Sequence, residues 1–233
     1  MKILSLGAGV NSTAILALKA LGQVDFQEVV FANTGGELPE TYQFIEKKIK
    51  PFCVNQKINY VEIKREGDTL YDYYFKHQII PTRMYRHCTD KFKIQPLKKY
   101  ALSRCQGEDV TFIIGFAKGE ENRAKNFCLK TNVEFPLIDL GIDREECKYL
   151  CQKVFGKVPN KSGCHFCPYT KVRNWKWLNR NHPDLFQKDI ALERNCSRYP
   201  DLTLHQGAPL EQVISKTEMC DWLGEACSIC EVE

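Results

Sequence analysis

Two residue patterns in this sequence are suited to chemistry. The first is a pair of Cys-x-x-Cys motifs, Cys164-His-Phe-Cys167 and Cys227-Ser-Ile-Cys230, with 59 residues between them. Two-residue spacing lets both thiolates turn toward one metal, and two such pairs supply the four sulfurs that zinc or an iron–sulfur cluster takes. The gap is too long for the spacer of a local zinc ribbon, so the expectation is a long-range clamp that pins the tail to the body of the protein. The bland alternative is four buried thiols that serve as small apolar residues. The second pattern is Gly7-Ala8-Gly9 followed by Asn11, Ser12 and Thr13. Small residues let backbone N–H groups approach an anion, and a helix opening there adds the positive end of its dipole. The turn is not a Walker loop, because no Lys precedes Ser12. It also fails the dinucleotide fingerprint, which needs a Gly at position 12 and an acid where Asn33 stands. A tight turn capped by Asn11 or Ser12 would read the same way.

The elements that must position these residues follow from the apolar pattern. Short apolar runs at Ile3 to Leu6, Val29 to Ala32, Tyr60 to Ile63, Val110 to Ile114 and Phe135 to Ile138 read as strands. Amphipathic stretches at Thr13 to Leu21, Pro39 to Ile49 and Arg144 to Phe155 read as helices between them. Strands apolar throughout belong in a parallel sheet covered on both faces, so the fold class is α/β, doubly wound and mostly parallel. The stretch from Lys64 to Pro96 is too mixed to assign. From Val158 onward the strand rhythm stops and cysteines gather, which suggests a domain over 1–157 and a small cysteine-rich C-terminal subdomain over 158–233.

Bulk properties narrow the classes. The 233 residues are 43% hydrophobic and 27% charged, which excludes disordered and fibrous chains. A net charge of +4 suits an anionic ligand without demanding nucleic acid. The N-terminal apolar run imitates a secretory signal, but Asn11, Ser12, Thr13 and Lys19 interrupt it, and no apolar stretch reaches the ~18 residues of a membrane span. The expectation is a cytoplasmic protein with no membrane partner, in which twelve cysteines point to metal or catalysis ahead of disulfides. Lys171, Arg173, Trp175, Lys176, Trp177 and Arg180 mix cations with aromatics, as nucleic-acid surfaces do, and as a helix with a buried Trp face does.

Several segments resemble one family. Gly7 to Thr13 is similar to the Ser-Gly-Gly-x-Asp-Ser-Thr loop of the PP-loop adenine-nucleotide enzymes, agreeing at Gly9, Val10, Ser12 and Thr13, with Gly7, Ala8 and Asn11 where that loop has Ser, Gly and Asp. Phe31 to Thr41 (FANTGGELPET) resembles the Asp-Thr-Gly…Pro-Glu-Thr segment of the branch containing the phosphoadenylyl-sulfate (PAPS) and adenylyl-sulfate (APS) reductases. His87 to Leu97 (HCTDKFKIQPL) resembles its Cys…Lys-x-x-Pro-Leu segment. Gly115 to Arg123 (GFAKGEENR) resembles its Gly-x-Arg…Glu-Ser…Arg loop, with Ala117 at the first Arg, and Gly163 to Pro168 (GCHFCP) its Gly-Cys-x-x-Cys.

That resemblance implies an adenine nucleotide, ATP or a relative with any Mg2+ it carries, at the carboxyl ends of the strands. Its phosphates would lie on Gly7, Ala8, Gly9, Val10, Asn11, Ser12 and Thr13, with Phe31, Asn33 and Gly115 nearby. Lys93, Lys118 and Arg123 would neutralise phosphate or sulfate oxygens, Lys93 with a catalytic part. The resemblance also implies Cys88 as a metal ligand beside Cys164 and Cys167. Family members with a cluster carry a Cys-Cys pair there, and Thr89 replaces the second. A [4Fe–4S] cluster is then favoured over zinc, with Cys227 or Cys230 either the fourth ligand or a catalytic thiol. Cys53, Cys105, Cys128, Cys147, Cys151, Cys196 and Cys220 are left as core residues. Two enzyme readings follow: ATP-dependent sulfur transfer to a small-molecule or nucleic-acid acceptor, and reduction of an adenylylated sulfate. The reductases' Glu-Cys-Gly-Leu-His motif does not occur, the corresponding segment reading Ala226-Cys227-Ser228-Ile229-Cys230-Glu231. A metal-stapled nucleic-acid-binding module is the reading from another class. A homodimer is one assembly the chain could form.

Overall fold

A computed structural model of the chain describes residues 1–104, 109–127, 132–205 and 207–214. In chain order the elements are β1 (Lys2–Leu6), α1 (Val10–Ala20), β2 (Glu28–Asn33), α2 (Pro39–Phe44), a π-helical turn (Ile45–Ile49), α3 (Lys50–Asn55), β3 (Asn59–Lys64), α4 (Leu70–Lys76) and α5 (His87–Thr89). A second π-helical turn (Asp90–Ile94) leads into α6 (Gln95–Arg104), β4 (Thr111–Ile113), α7 (Glu121–Lys125), β5 (Asn132–Glu134), α8 (Pro136–Asp139), α9 (Arg144–Phe155), α10 (Val172–Asn181) and α11 (Pro183–Arg194). These elements form two compact units that are not consecutive in sequence. Among the described residues, one comprises those of 1–65 and 90–162, the other those of 66–89 and 163–214.

The first unit is a five-stranded, all-parallel sheet in the order β3-β2-β1-β4-β5. Register follows the apolar runs: Leu4 faces Val29 on one side and Ile113 on the other, and Val30 faces Val61. Both faces are covered, as continuous apolar strands require. On one, Leu4, Phe31 and Ile113 pack with Ile15 and Leu18 of α1 and Cys147, Cys151 and Phe155 of α9. On the other, Ile3, Val30 and Phe112 pack with Leu97 and Ala101 of α6. The helix α9 has a full capping box, Asp143 accepting from the Glu146 backbone N–H and Glu146 reaching back, and it ends at Gly156 in the left-handed conformation.

One expected strand is displaced. Phe135 to Ile138 is not the fifth strand; Pro136 opens the short helix α8, and the ladder is made by Asn132–Glu134 just before it. Proline has no N–H to give a ladder and its fixed φ suits the first helical position. The helix expected to stop at Ile49 continues through the π-helical turn into α3, which carries Pro51 near its start.

The second unit is helical and carries several cysteines. Its α4 begins at Thr69, whose hydroxyl accepts from the Asp72 N–H, and buries Leu70 and Tyr74 four residues apart. In α10, Trp175 and Leu178 are buried while Lys171, Arg173 and Arg180 are exposed. Trp175 packs edge-on against Phe186 of α11. That buried face leaves Trp175 unavailable for stacking on a base.

Candidate nucleotide loop and thiol site

In the first unit the Gly7–Thr13 turn is held by its own short bonds. The Gly7 N–H donates to Ser12 Oγ at 3.2 Å, Ser12 Oγ donates to the Gly9 carbonyl at 3.3 Å, and the Thr13 N–H to the same carbonyl at 3.0 Å. Ala8 takes the left-handed conformation at φ 53 and is buried. Gly9 is the N-cap of α1 and offers no side-chain cap, so the first-turn N–H groups have no partner within the helix. A Cβ on Gly9 would lie 2.6 Å from Ser162 Oγ. Val10, Asn11, Ser12 and Thr13 are all buried, and Thr13 Oγ1 has no hydrogen-bond partner among the described residues.

The loop after β4 presses against this turn. A Cβ on Gly115 would come within 2.9 Å of the Ser12 N–H nitrogen and 3.1 Å of Asn11 carbonyl carbon, so only glycine allows the two backbones to meet. Glu120 ties them together: its Oε2 accepts from Asn11 Nδ2 at 2.9 Å and from the Ala117 N–H at 3.0 Å, and its Oε1 from Arg123. Arg123 also lies over the Phe116 ring at 4.6 Å. From the start of α9, Arg144 donates to Asn11 Oδ1 at 2.9 Å.

The end of β2 is organised by Asn33. Its Oδ1 accepts from the Gly35 N–H at 2.8 Å and from Tyr42 at 2.9 Å, while its Nδ2 donates to Glu62 at 2.8 Å. Phe31 is buried in the core. Lys93 pairs at 3.1 Å with Glu37, whose carboxylate is fully buried and whose Oε2 has no partner among the described residues. Lys118 is exposed. Glu37, Glu120 and Arg144 escaped the sequence reading; their partners lie 56, 109 and 133 residues away, beyond any local pattern.

The second unit contains Cys88, Cys164 and Cys167, each half-buried and none in a disulfide. A turn joins the last two, the Cys167 N–H donating to the Cys164 carbonyl at 3.1 Å. The Tyr74 hydroxyl, from α4, shares a hydrogen bond with Cys88: burial, and then the charge and hydrogen bond of Cys88 and the charge of Cys164, raise its pKa. Between the paired cysteines, His165 Nδ1 meets Asp189 Oδ1 at 2.6 Å. Burial pushes the Asp189 carboxyl up to about 6, against the His165 hydrogen bond. Tyr71 stacks on His165 at 6.0 Å. Among the described residues no three His, Cys, Asp or Glu side chains are grouped so as to hold a metal ion. Cys227 and Cys230 lie outside the described residues, as do Cys105, Cys128 and Cys220.

The remaining cysteines behave as core. Cys53, Cys147 and Cys151 are buried in the first unit, and burial pushes their thiols up to about 11, 12 and 12. Cys151 Sγ sits 3.4 Å from the Val10 carbonyl. Cys196 is buried in the second unit. Among the described residues no helix is long and apolar enough to cross a membrane.

Residues 2–139 match the model of the phosphoadenosine phosphosulfate reductase domain. Two uncharacterized proteins of Methanocaldococcus jannaschii are similar, one 30% identical over 76% of this chain and 37% of its own length, the other 27% identical over 78% and 45%. The chain thus spans less than half the length of these curated relatives. Among solved structures, the U34-tRNA thiolase NcsA from Methanococcus maripaludis, determined with its [4Fe-4S] cluster, superposes with a TM-score of 0.48 at 15% identity, covering 84% of this chain and 70% of that one.

Proposed function

This chain belongs to the phosphoadenosine phosphosulfate reductase domain family, and from that premise we propose that it binds an adenine nucleotide, ATP first among them, and uses it in sulfur transfer. The observation that supports this reading most is the contact of the two glycine loops, where the Gly115 backbone touches Ser12 and Glu120 binds Asn11. It leaves a rigid turn with first-turn N–H groups for phosphate oxygens, at the carboxyl ends of parallel strands where ligands of open sheets bind.

In this reading the α1 N-terminus takes the phosphates and Lys118 adds charge. Lys93 would exchange its Glu37 partner for a phosphate or sulfate oxygen. Asn33 fixes the β2 loop so that backbone groups can read the base or ribose. Cys88, Cys164 and Cys167 would hold an iron–sulfur centre, with Cys227 or Cys230 as the fourth ligand or as a catalytic thiol. A four-iron cluster on three protein thiolates supplies an iron position for an exchangeable sulfur species. The half-burial of the three thiols and the Tyr74 hydroxyl bonded to Cys88 suit thiolates that must be reached and hydrogen-bonded.

The test is anaerobic purification of the full chain, with iron and acid-labile sulfide analysis and a binding screen of ATP, APS and PAPS. The expected sample is brown, absorbs broadly near about 400 nm, and binds ATP. Binding of APS or PAPS in preference would move the reaction to sulfate reduction. A colourless zinc protein would remove the sulfur-donor role, and no nucleotide binding would remove the reading altogether.

A further inference from the structure

We infer that Arg144 is a phosphate-binding residue of the nucleotide site, steered onto the Gly7–Thr13 loop by Asn11. The inference rests on the nucleotide reading above and adds a residue that no motif nominates. Of the cations named from the sequence, Lys93 is already paired with Glu37 and Arg123 with Glu120. Arg144 makes no ion pair among the described residues, yet its guanidinium reaches the loop, NH1 standing 2.9 Å from Asn11 Oδ1. A guanidinium carries five N–H donors, and this contact uses one; the remainder form the fork that binds phosphate oxygens bidentately. Asn11 is the second residue of α1, so the positive charge stands at the edge of the turn that carries the helix's first-turn N–H groups.

The same geometry explains Asn11. Its carboxamide is held on both sides, Oδ1 by Arg144 and Nδ2 by Glu120 at 2.9 Å. A carboxylate here would face that of Glu120, and like charges at this separation oppose each other's ionisation. Both Glu120 oxygens are engaged, Oε2 by Asn11 and Ala117 and Oε1 by Arg123. The amide passes the fixed position of Glu120 on to Arg144, and Glu120 itself is held by the loop after β4. Arg144 is thereby kept at the loop before any ligand arrives, which lowers the ordering cost of binding.

The experiment is calorimetric titration of ATP, inorganic pyrophosphate and adenosine into the full chain and into Arg144→Gln and Arg144→Lys. Glutamine keeps an amide N–H for Asn11 and removes the charge; lysine restores charge without the fork. Arg144→Gln should weaken ATP and pyrophosphate by roughly ten- to a hundredfold, the range of a hydrogen bond to a charged group. Adenosine affinity should be unchanged, and Arg144→Lys should recover part of the loss. Equal ATP affinity in wild type and Arg144→Gln overturns the role of Arg144 and leaves the nucleotide reading standing. A uniform loss for all three ligands marks a structural effect and also overturns it. A wild type that binds neither ATP nor pyrophosphate overturns both.

Discussion

Cys151 in α9, with Cys147 one turn before it, stands 13 positions ahead of Cys164, which shares a turn with Cys167, but their surroundings make the two pairs different chemical groups. The first two are spaced i, i+4, so a helix presents both to the same side, and that side is the core under α1. With no charge partner strong enough to offset burial, their thiols rise to about 12 and stay protonated. The second two are spaced by a tight turn in the helical unit and are half-buried, and the Cys164 charge is felt by the Tyr74 hydroxyl. Accessibility and hydrogen-bonding neighbours separate a reactive or metal-binding thiol from a packing one. Counting cysteines cannot make that separation.

The largest expected contrast is in metal content. Cys164→Ser or Cys167→Ser should abolish most of the iron bound by anaerobically prepared protein, whereas Cys147→Ser should keep it; equal iron in all three would erase the distinction. Next is the junction of the two glycine loops. Gly115→Ala places a Cβ against backbone atoms of Ser12 and Asn11, which cannot swing away as a side chain could. Denaturant unfolding should show a loss of about 1–3 kcal/mol, the usual cost of overpacking. A variant as stable as wild type would mean that the loops do not meet as described.

Smaller effects probe the buried thiols. Cys151→Ser puts a hydroxyl in an apolar site where the Val10 carbonyl is the polar group beside it, and should cost about 1–2 kcal/mol. The pH dependence has a definite sign. Burial raises Cys53, Cys147 and Cys151 from 9.0 in the unfolded chain to about 11, 12 and 12 in the folded one, so only well below pH 9 do they bind the same protons in both states. As pH rises from about 9 toward 12 the unfolded chain releases protons that the folded one retains, and stability falls. Chevron or equilibrium melts across that window should show the decline, reduced in Cys147→Ser. At pH 8, after iron chelation, iodoacetamide should modify Cys88, Cys164 and Cys167 well before Cys53, Cys147 and Cys151, as peptide mass mapping would read; the reverse order would contradict the assignment.

How far the sequence could be read follows the same local-versus-distant divide. The first strand, the glycine turn and α1 are consecutive, and their apolar and small-residue patterns are local facts. The capping box of α9 is local too. The fifth strand is not legible because its residues, Asn132–Glu134, lie at the sheet edge and carry little apolar signal, while the more apolar Phe135 to Ile138 belongs to α8 and the residue before it. The excursion 66–89 reads as mixed because its pattern is short, although Thr69 with Leu70 and Tyr74 marks α4 in retrospect. Residues that complete a site by reaching across the chain, Glu120 and Arg144 onto Asn11 and Glu37 onto Lys93, have no sequence signature, since what selects them is a neighbour a hundred residues away or a buried charge.

The central claim, that an adenine nucleotide sits with its phosphates on the Gly7–Thr13 turn, is tested most directly by titrating ATP into the wild-type chain and into Gly9→Asp. Aspartate is a good N-cap and should leave α1 folded, needing only Ser162 to turn aside, but it sets a negative charge where the phosphates would lie. The account predicts one binding event in the wild type and none detectable in a folded Gly9→Asp. Undiminished ATP affinity in Gly9→Asp would contradict it.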